Sequence, residues 1–230
     1  MNPHSKLICE LAERLMRHPA APYHEQAPRA EVERICAEHR LPCERDRFGN
    51  SLVTLRSAGR QRPVVLAAHL DHPGFEILRP LSPTRWQARF RGGVPDSYFR
   101  LGVPVRLMPG EIPARLGSRE GPDNTFELRA HQTNRATPRF AVWELEDFTV
   151  RQGRIYGRSC DDLIGVAAIL ATLIELKRER VPANVLGVVS RAEEVGFHGA
   201  LAFAASGGLD RKSTRLNSSH VSESRMPSSA

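Results

Sequence analysis

"VLGVVSRAEEVGFHGA", Val185–Ala200, joins five apolar residues to two adjacent glutamates. A run such as Val185–Val189 has strand length and strand composition and carries no polar face, so it is expected to be buried on both sides. A strand of that kind belongs to the interior of an α/β sheet. In open α/β sheets, functional groups gather just beyond the carboxyl ends of the strands. Glu193 and Glu194 stand at that place.

Working outward, "DDLIGVAAILATLIELKRER" (Asp161–Arg180) is apolar on most sides and opens on two aspartates, as expected of a helix packed against a sheet. Leu7, Ile8, Leu11, Leu15 and Met16 form a helical stripe over residues 5–16, and a second helix is expected over 29–39. "DRFGNSLVTLR" reads as a turn at Gly49-Asn50 followed by a strand, and "PVVLAAHLD" as a buried strand ending in charge. Residues 73–150 differ in texture. Nine of the chain's 17 prolines fall there, among short runs such as "RWQARF", "PVRLM" and "FELRA". Proline at that density forbids long helices, so the segment is expected to be a small all-β insert. The expected fold class is therefore α/β, a central sheet flanked by helices with an inserted small all-β domain. Its expected parts are residues 1–72 and 151–210, which form the sheet domain, and 73–150, which form the insert.

The 230 residues carry a net charge of +7, but the basic residues are scattered among acids without interleaved aromatics, which argues against a nucleic-acid partner. No stretch of about 18 apolar residues suggests a membrane span, and residues 1–4 lack the order of a signal peptide. The cytoplasm is the expected location. Cys9, Cys36, Cys43 and Cys160 form no C-x-x-C pair and are expected to be reduced and mostly buried. Residues 211–230 hold seven serines and four basic residues, a composition that builds no packed element. They resemble translated sequencing-adapter DNA, so they are expected to be a foreign or disordered tail.

Three groups occupy comparable places: His69 and Asp71 at one strand end, Asp161-Asp162 at a helix start, Glu193-Glu194 at another strand end. Singly, each has an ordinary structural role, as a solvated strand end or a helix cap. Together they supply what a two-metal hydrolytic centre needs: a nitrogen ligand, a bridging carboxylate, and a glutamate pair to divide metal binding from water activation. Asp71 is expected to accept the second N–H of the His69 imidazole and so fix its tautomer.

"AAHLDHPGFEI", "GRSCDDLIGVAAIL" and "AEEVGFHGA", in this order with a β insert between the first two, resemble the tetrahedral or glutamyl-aminopeptidase-like family of cocatalytic metallopeptidases, some of whose members are labelled endoglucanases. The resemblance spans roughly residues 1–210 and implies a zinc-exopeptidase-like domain. It implies His69 as a ligand of one metal, Asp161 as the bridge, Glu194 as a ligand of the other metal, and Glu193 as general base and later acid, with Asp71 completing the catalytic set. Two divalent ions, zinc or cobalt, short peptide substrates and a homo-oligomer, often a dodecamer built through the insert, follow from the same resemblance.

The chain departs from that pattern at His72, where the family often has Glu, and at Leu163, where it has a basic residue. The family's Asp some twenty residues beyond Glu194 and its distant His cannot be assigned. The 230-residue chain is therefore expected to bind metal poorly and to be inactive by itself. A related metal-dependent carboxypeptidase or deacylase, and a non-catalytic assembly or peptide-binding module, are the alternative functions.

Overall fold

The computed structural model describes residues 2–56, 62–121, 123–132 and 137–208. Helices α1 (Pro3–Met16) and α2 (Gln26–Glu38) precede strands β1 (Cys43–Arg45), β2 (Ser51–Arg56) and β3 (Val64–His69). Six strands follow: β4 (Gly74–Ser82), β5 (Arg85–Arg91), β6 (Pro104–Met108), β7 (Ile112–Arg119), β8 (Thr125–Ala130) and β9 (Phe140–Trp143). The chain continues through β10 (Thr149–Arg151), β11 (Arg154–Tyr156), α3 (Cys160–Arg178), β12 (Asn184–Ser190) and α4 (His198–Phe203).

α1 starts earlier than its apolar stripe because Asn2 caps it, accepting the Ser5 N–H at 2.8 Å, and Pro3 supplies a preset first helical φ. α2 likewise begins before Arg29. Pro28 lies in its first turn, where a missing N–H breaks no helical bond. The helices bury Leu11, Leu15, Val32, Ile35, Leu170 and Leu173 in one core shared with the sheet.

That sheet has the order β1-β2-β12-β3, with β12 antiparallel to β2 and parallel to β3. The strand that opened the sequence reading is thus internal. Gly187 lets α3 lie directly on it: a Cβ there would sit 2.7 Å from Ile169 Cγ2. The parallel register sets Ser190 opposite His69, so the two strands end side by side.

β4–β9 close into a barrel in the order β4-β5-β8-β7-β6-β9. Its centre is aromatic, with the Phe75 ring 5.0–5.7 Å from those of Trp143, Phe90 and Phe126. The β10–β11 hairpin lies across residue 150, where the sequence suggested that the insert would end. Of the four free cysteines only Cys36 is fully buried; the others are half-buried, fewer than expected inside. Among the described residues no helix is long and apolar enough to cross a membrane. The serine-rich tail, 211–230, lies outside the described residues.

Candidate metal centre

The end of β3, the start of α3 and the turn after β12 meet at one place. His69, the last residue of β3, is 7% exposed. Its Nε2 lies 3.2 Å from Asp161 Oδ1 and 3.7 Å from Glu193 Oε2. Burial alone would disfavour the imidazolium, but the carboxylates of Asp71, Glu193, Asp162 and Asp161 outweigh it and hold the His69 pKa above its ordinary value.

The two aspartates divide their labour. Asp162 turns back into α3, its Oδ1 accepting the Gly165 N–H at 3.2 Å, and a Cβ at residue 165 would fall 2.2 Å from that oxygen. Asp162 is the helix cap. Asp161 precedes regular helical geometry and is joined to Asp162 by a cis peptide; its side chain, 66% exposed, faces His69.

Asp71 is 1% exposed and does something the sequence did not suggest. Its Oδ1 accepts the Glu193 N–H at 2.9 Å and its Oδ2 the Glu194 N–H at 3.0 Å. The His69 Nδ1 lies 3.1 Å from the Asp71 main-chain carbonyl and 3.7 Å from the carboxylate. The expected tautomer-fixing contact is therefore made by the carbonyl, with the carboxylate turned to the two backbone donors and beyond hydrogen-bond reach of the ring. Burial raises the Asp71 pKa against the pull of those donors.

Burial also pushes the Glu194 carboxyl up to about 7, and the neighbouring charges of Asp71, Glu193 and Asp161 act in the same direction, against His69. A carboxylate so desolvated among like charges is suited to a nearby cation. His72 is buried and its pKa is driven down to about 4 by desolvation, so it is a neutral ring at physiological pH.

Two buried residues outside the sequence reading hold this turn. Asn50 donates to Asp46 Oδ2 and to the Gly199 carbonyl while its Oδ1 accepts the Arg191 N–H. Gly199 is required there, since a Cβ would meet that oxygen at 2.3 Å. Glu25 accepts the Ala192 N–H at 3.1 Å. Asn50 was legible only as a turn residue, and nothing local marks Glu25.

The nitrogen and carboxylate donors suit zinc or another borderline divalent ion in kind. In number they fall short. Among the described residues no three His, Cys, Asp or Glu side chains form a group that could hold an ion unaided.

Fold and site together define a class: an α/β domain with an inserted β barrel and a strand-end carboxylate–histidine cluster. Residues 136–210 match the model of the M42 glutamyl aminopeptidase family, and these residues carry Asp161, Glu193 and Glu194. It is the family that the three motifs resemble. Among solved structures, the TET1 peptidase of Pyrococcus horikoshii, described as assembling into a tetrahedron or an octahedral shell, superposes with a TM-score of 0.71 at 21% identity, over 86% of this chain and 64% of that one. An aminopeptidase from Desulfurococcus kamchatkensis superposes at 0.71 and 20% identity, over 89% and 61%. An endoglucanase of Thermotoga maritima does so at 0.64 and 16%, over 84% and 61%. These likenesses establish the fold. The chain spans less than two thirds of the length of each of these structures.

Proposed function

We propose that this chain carries the water-activating half of a metal-dependent aminopeptidase that removes N-terminal residues from short peptides. The observation that supports this most is the convergence of Asp161 and Glu193 on His69 Nε2 from three separate segments. His69 and Glu194 would each hold one ion and Asp161 would bridge them. Two such ions, zinc or cobalt, would supply Lewis acidity to the scissile carbonyl and acidify the attacking water.

Glu193 takes that water's proton and returns it to the departing amine nitrogen, a role for which a half-buried carboxylate at the rim of the cluster is placed. Asp71 keeps the Glu193-Glu194 backbone fixed while this happens. The sheet-and-helix parts, residues 1–72 and 151–210, act as the catalytic domain and 73–150 as an assembly domain, giving a cytoplasmic homo-oligomer.

Glu193→Gln in the full-length protein tests the reading. Calorimetric titration with zinc should match the unsubstituted protein, while hydrolysis of aminoacyl anilides falls by about 10²–10⁴. Undiminished hydrolysis would remove Glu193 from the mechanism. Aminoacyl anilides should be cleaved and N-acylated amino acids spared, because the substrate's free amine is a ligand; the reverse preference would indicate the carboxypeptidase or deacylase relatives.

The short donor set favours a second reading, a non-catalytic assembly or peptide-binding module. With His69, Asp161 and Glu194 alone, each ion has two protein ligands, fewer than the three usual at catalytic zinc. Zinc titration of the 230-residue chain separates the two: weak binding fits the incomplete shell, and two tight sites would contradict it.

A further inference from the structure

Glu25 occupies the N-cap position of α2, where the short side chains of Ser, Thr, Asp or Asn ordinarily accept a helix N–H, and its longer side chain makes no capping bond. It is wholly buried and reaches out of the helix instead. Its Oε1 accepts the Tyr23 N–H at 2.8 Å and the Ala192 N–H at 3.1 Å, and its Oε2 accepts from Arg191 Nη2 at 3.1 Å. Tyr23 and Ala192 both have left-handed backbone, with φ of 70° and 50°. One oxygen therefore bonds the N–H of two residues held in a conformation that side chains other than glycine disfavour.

Ala192 precedes Glu193. The N–H groups of residues 192, 193 and 194 are accepted in succession by two buried carboxylates, Glu25 for the first and Asp71 for the other two. Three consecutive peptide planes are thereby fixed, and with them the direction in which the Glu193 side chain leaves the backbone. Arg191 braces the arrangement from outside, its guanidinium 5.7 Å from the Tyr23 ring centroid.

We propose that Glu25 is a positioning residue for the Glu193-Glu194 turn: by fixing the left-handed Ala192 it aims Glu193 at the reacting water. This rests on the role proposed above for Glu193. Displacing a catalytic group by about 1 Å can cost up to about a hundredfold in rate. The loss should fall on kcat, because Glu25 bonds to Tyr23, Arg191 and Ala192 rather than to the side chains that would hold metal.

The test compares Glu25→Ala, Glu25→Gln and Glu193→Gln in the metal-loaded, full-length protein, with kcat and KM for an aminoacyl anilide, thermal midpoints, and amide hydrogen exchange over residues 190–195. For Glu25→Ala a fall in kcat of about tenfold to a hundredfold is expected, with KM within about twofold and faster exchange confined to the turn. Glu25→Gln keeps an acceptor oxygen at the same reach and should recover most of that rate. A folded Glu25→Ala protein with kcat within about twofold of the unsubstituted one overturns the inference. So does equal loss in both variants that tracks their thermal midpoints. If Glu25→Ala does not fold, Glu25→Gln decides alone: kcat and Ala192 exchange both close to those of the unsubstituted protein are expected, and a kcat reduced about tenfold or more beside unchanged exchange at Ala192 overturns it. Retained turnover in Glu193→Gln would sink the functional reading itself, whereas an inactive Glu193→Gln beside a fully active Glu25→Ala would sink only the role of Glu25.

Discussion

The barrel and the open sheet are both built mainly from antiparallel pairs, yet they manage buried charge in opposite ways. In the barrel every strand has two neighbours, and the ring is closed by β4 against β9, Phe75 opposite Ala141. Among the described barrel residues only Thr125 and Glu127 are buried polar side chains. The sheet domain buries Arg29 and Glu31 on α2 and gathers a further set, Glu25, Asn50, His69, Asp71 and His72, on or beside the strand ends where β3 and β12 run parallel. Burying such groups is costly unless each is bonded. That cost is tolerated where the strand ends converge, because there the bonds orient Glu193 and Glu194. A closed antiparallel ring offers no comparable place, since its pairing leaves no parallel strand ends to gather.

If the two regions are separate folding units, their core truncations should act separately. Phe75→Ala removes the ring that Phe90, Phe126 and Trp143 surround and should cost the barrel about 3–5 kcal/mol. Leu170→Ala, fully buried between α3 and the sheet, should cost that domain about 2–5 kcal/mol. Differential scanning calorimetry would show two transitions, each moved by its own substitution. One shared transition displaced equally by both would make the chain a single cooperative unit and remove the contrast.

Arg158 sharpens this, because it joins the regions. Its side chain is buried; Nη2 donates to Asp147 Oδ1 at 2.5 Å and to the Leu145 carbonyl at 2.8 Å, just after the last barrel strand, three residues before Asp161. Arg158→Met removes both bonds, and because the Asp147 side chain is 34% exposed and can turn to water it should cost about 1–3 kcal/mol. The sheet's transition should fall more than the barrel's. An unmoved sheet transition would mean that the link carries no coupling.

Acid should also separate the regions. Glu127 is held down to about 2 by hydrogen bonds from Arg85 and then Arg129. Its folded pKa lies below the ordinary 4.5, so it stabilises the barrel above that pH, and the contribution is lost as pH falls from there towards 2. His24, stacked on Phe140 where the sheet domain meets the barrel, has its pKa lowered from 6.5 by burial and then by Arg139. A depressed histidine costs stability as pH drops below 6.5, a higher window. Urea midpoints followed from pH 8 to pH 3 should show the interface weakening first. Glu127→Gln should flatten only the lower limb, and an unchanged profile would show that the guanidinium bonds contribute nothing to folding.

Periodicity and composition made the helices, the β12 strand and the all-β texture of the insert legible, because each depends on residues close in sequence. Barrel closure did not show, since Phe75 and Ala141 pair across a long separation and neither carries a local mark of it. The same reason hid Glu25. Nothing next to Glu25 in the sequence marks it, and only the approach of the turn 167 residues away gives it its partner. Whereas the role of each residue came only from the family resemblance, the placement of His69, the Asp161-Asp162 pair and the Glu193-Glu194 pair was readable because strand ends and helix starts are themselves readable. The donor that Asp71 serves was not, since whether the imidazole or two peptide N–H groups reach it depends on tertiary placement.

The smallest effect expected is at the outer rim of the same turn. Tyr23 is partly exposed, and its hydroxyl lies 2.8 Å from His198 Nδ1 while its ring carries the Arg191 guanidinium. Tyr23→Phe keeps the ring and the main-chain N–H that Glu25 accepts, removing one solvent-accessible bond worth about 1 kcal/mol or less. Thermal midpoint and kcat should both stay close to those of the unsubstituted protein. A large loss of kcat would move the organising bond of the turn outward, from the buried Glu25 carboxylate to the exposed Tyr23–His198 pair, and buried charge would then no longer be what distinguishes this domain from the barrel.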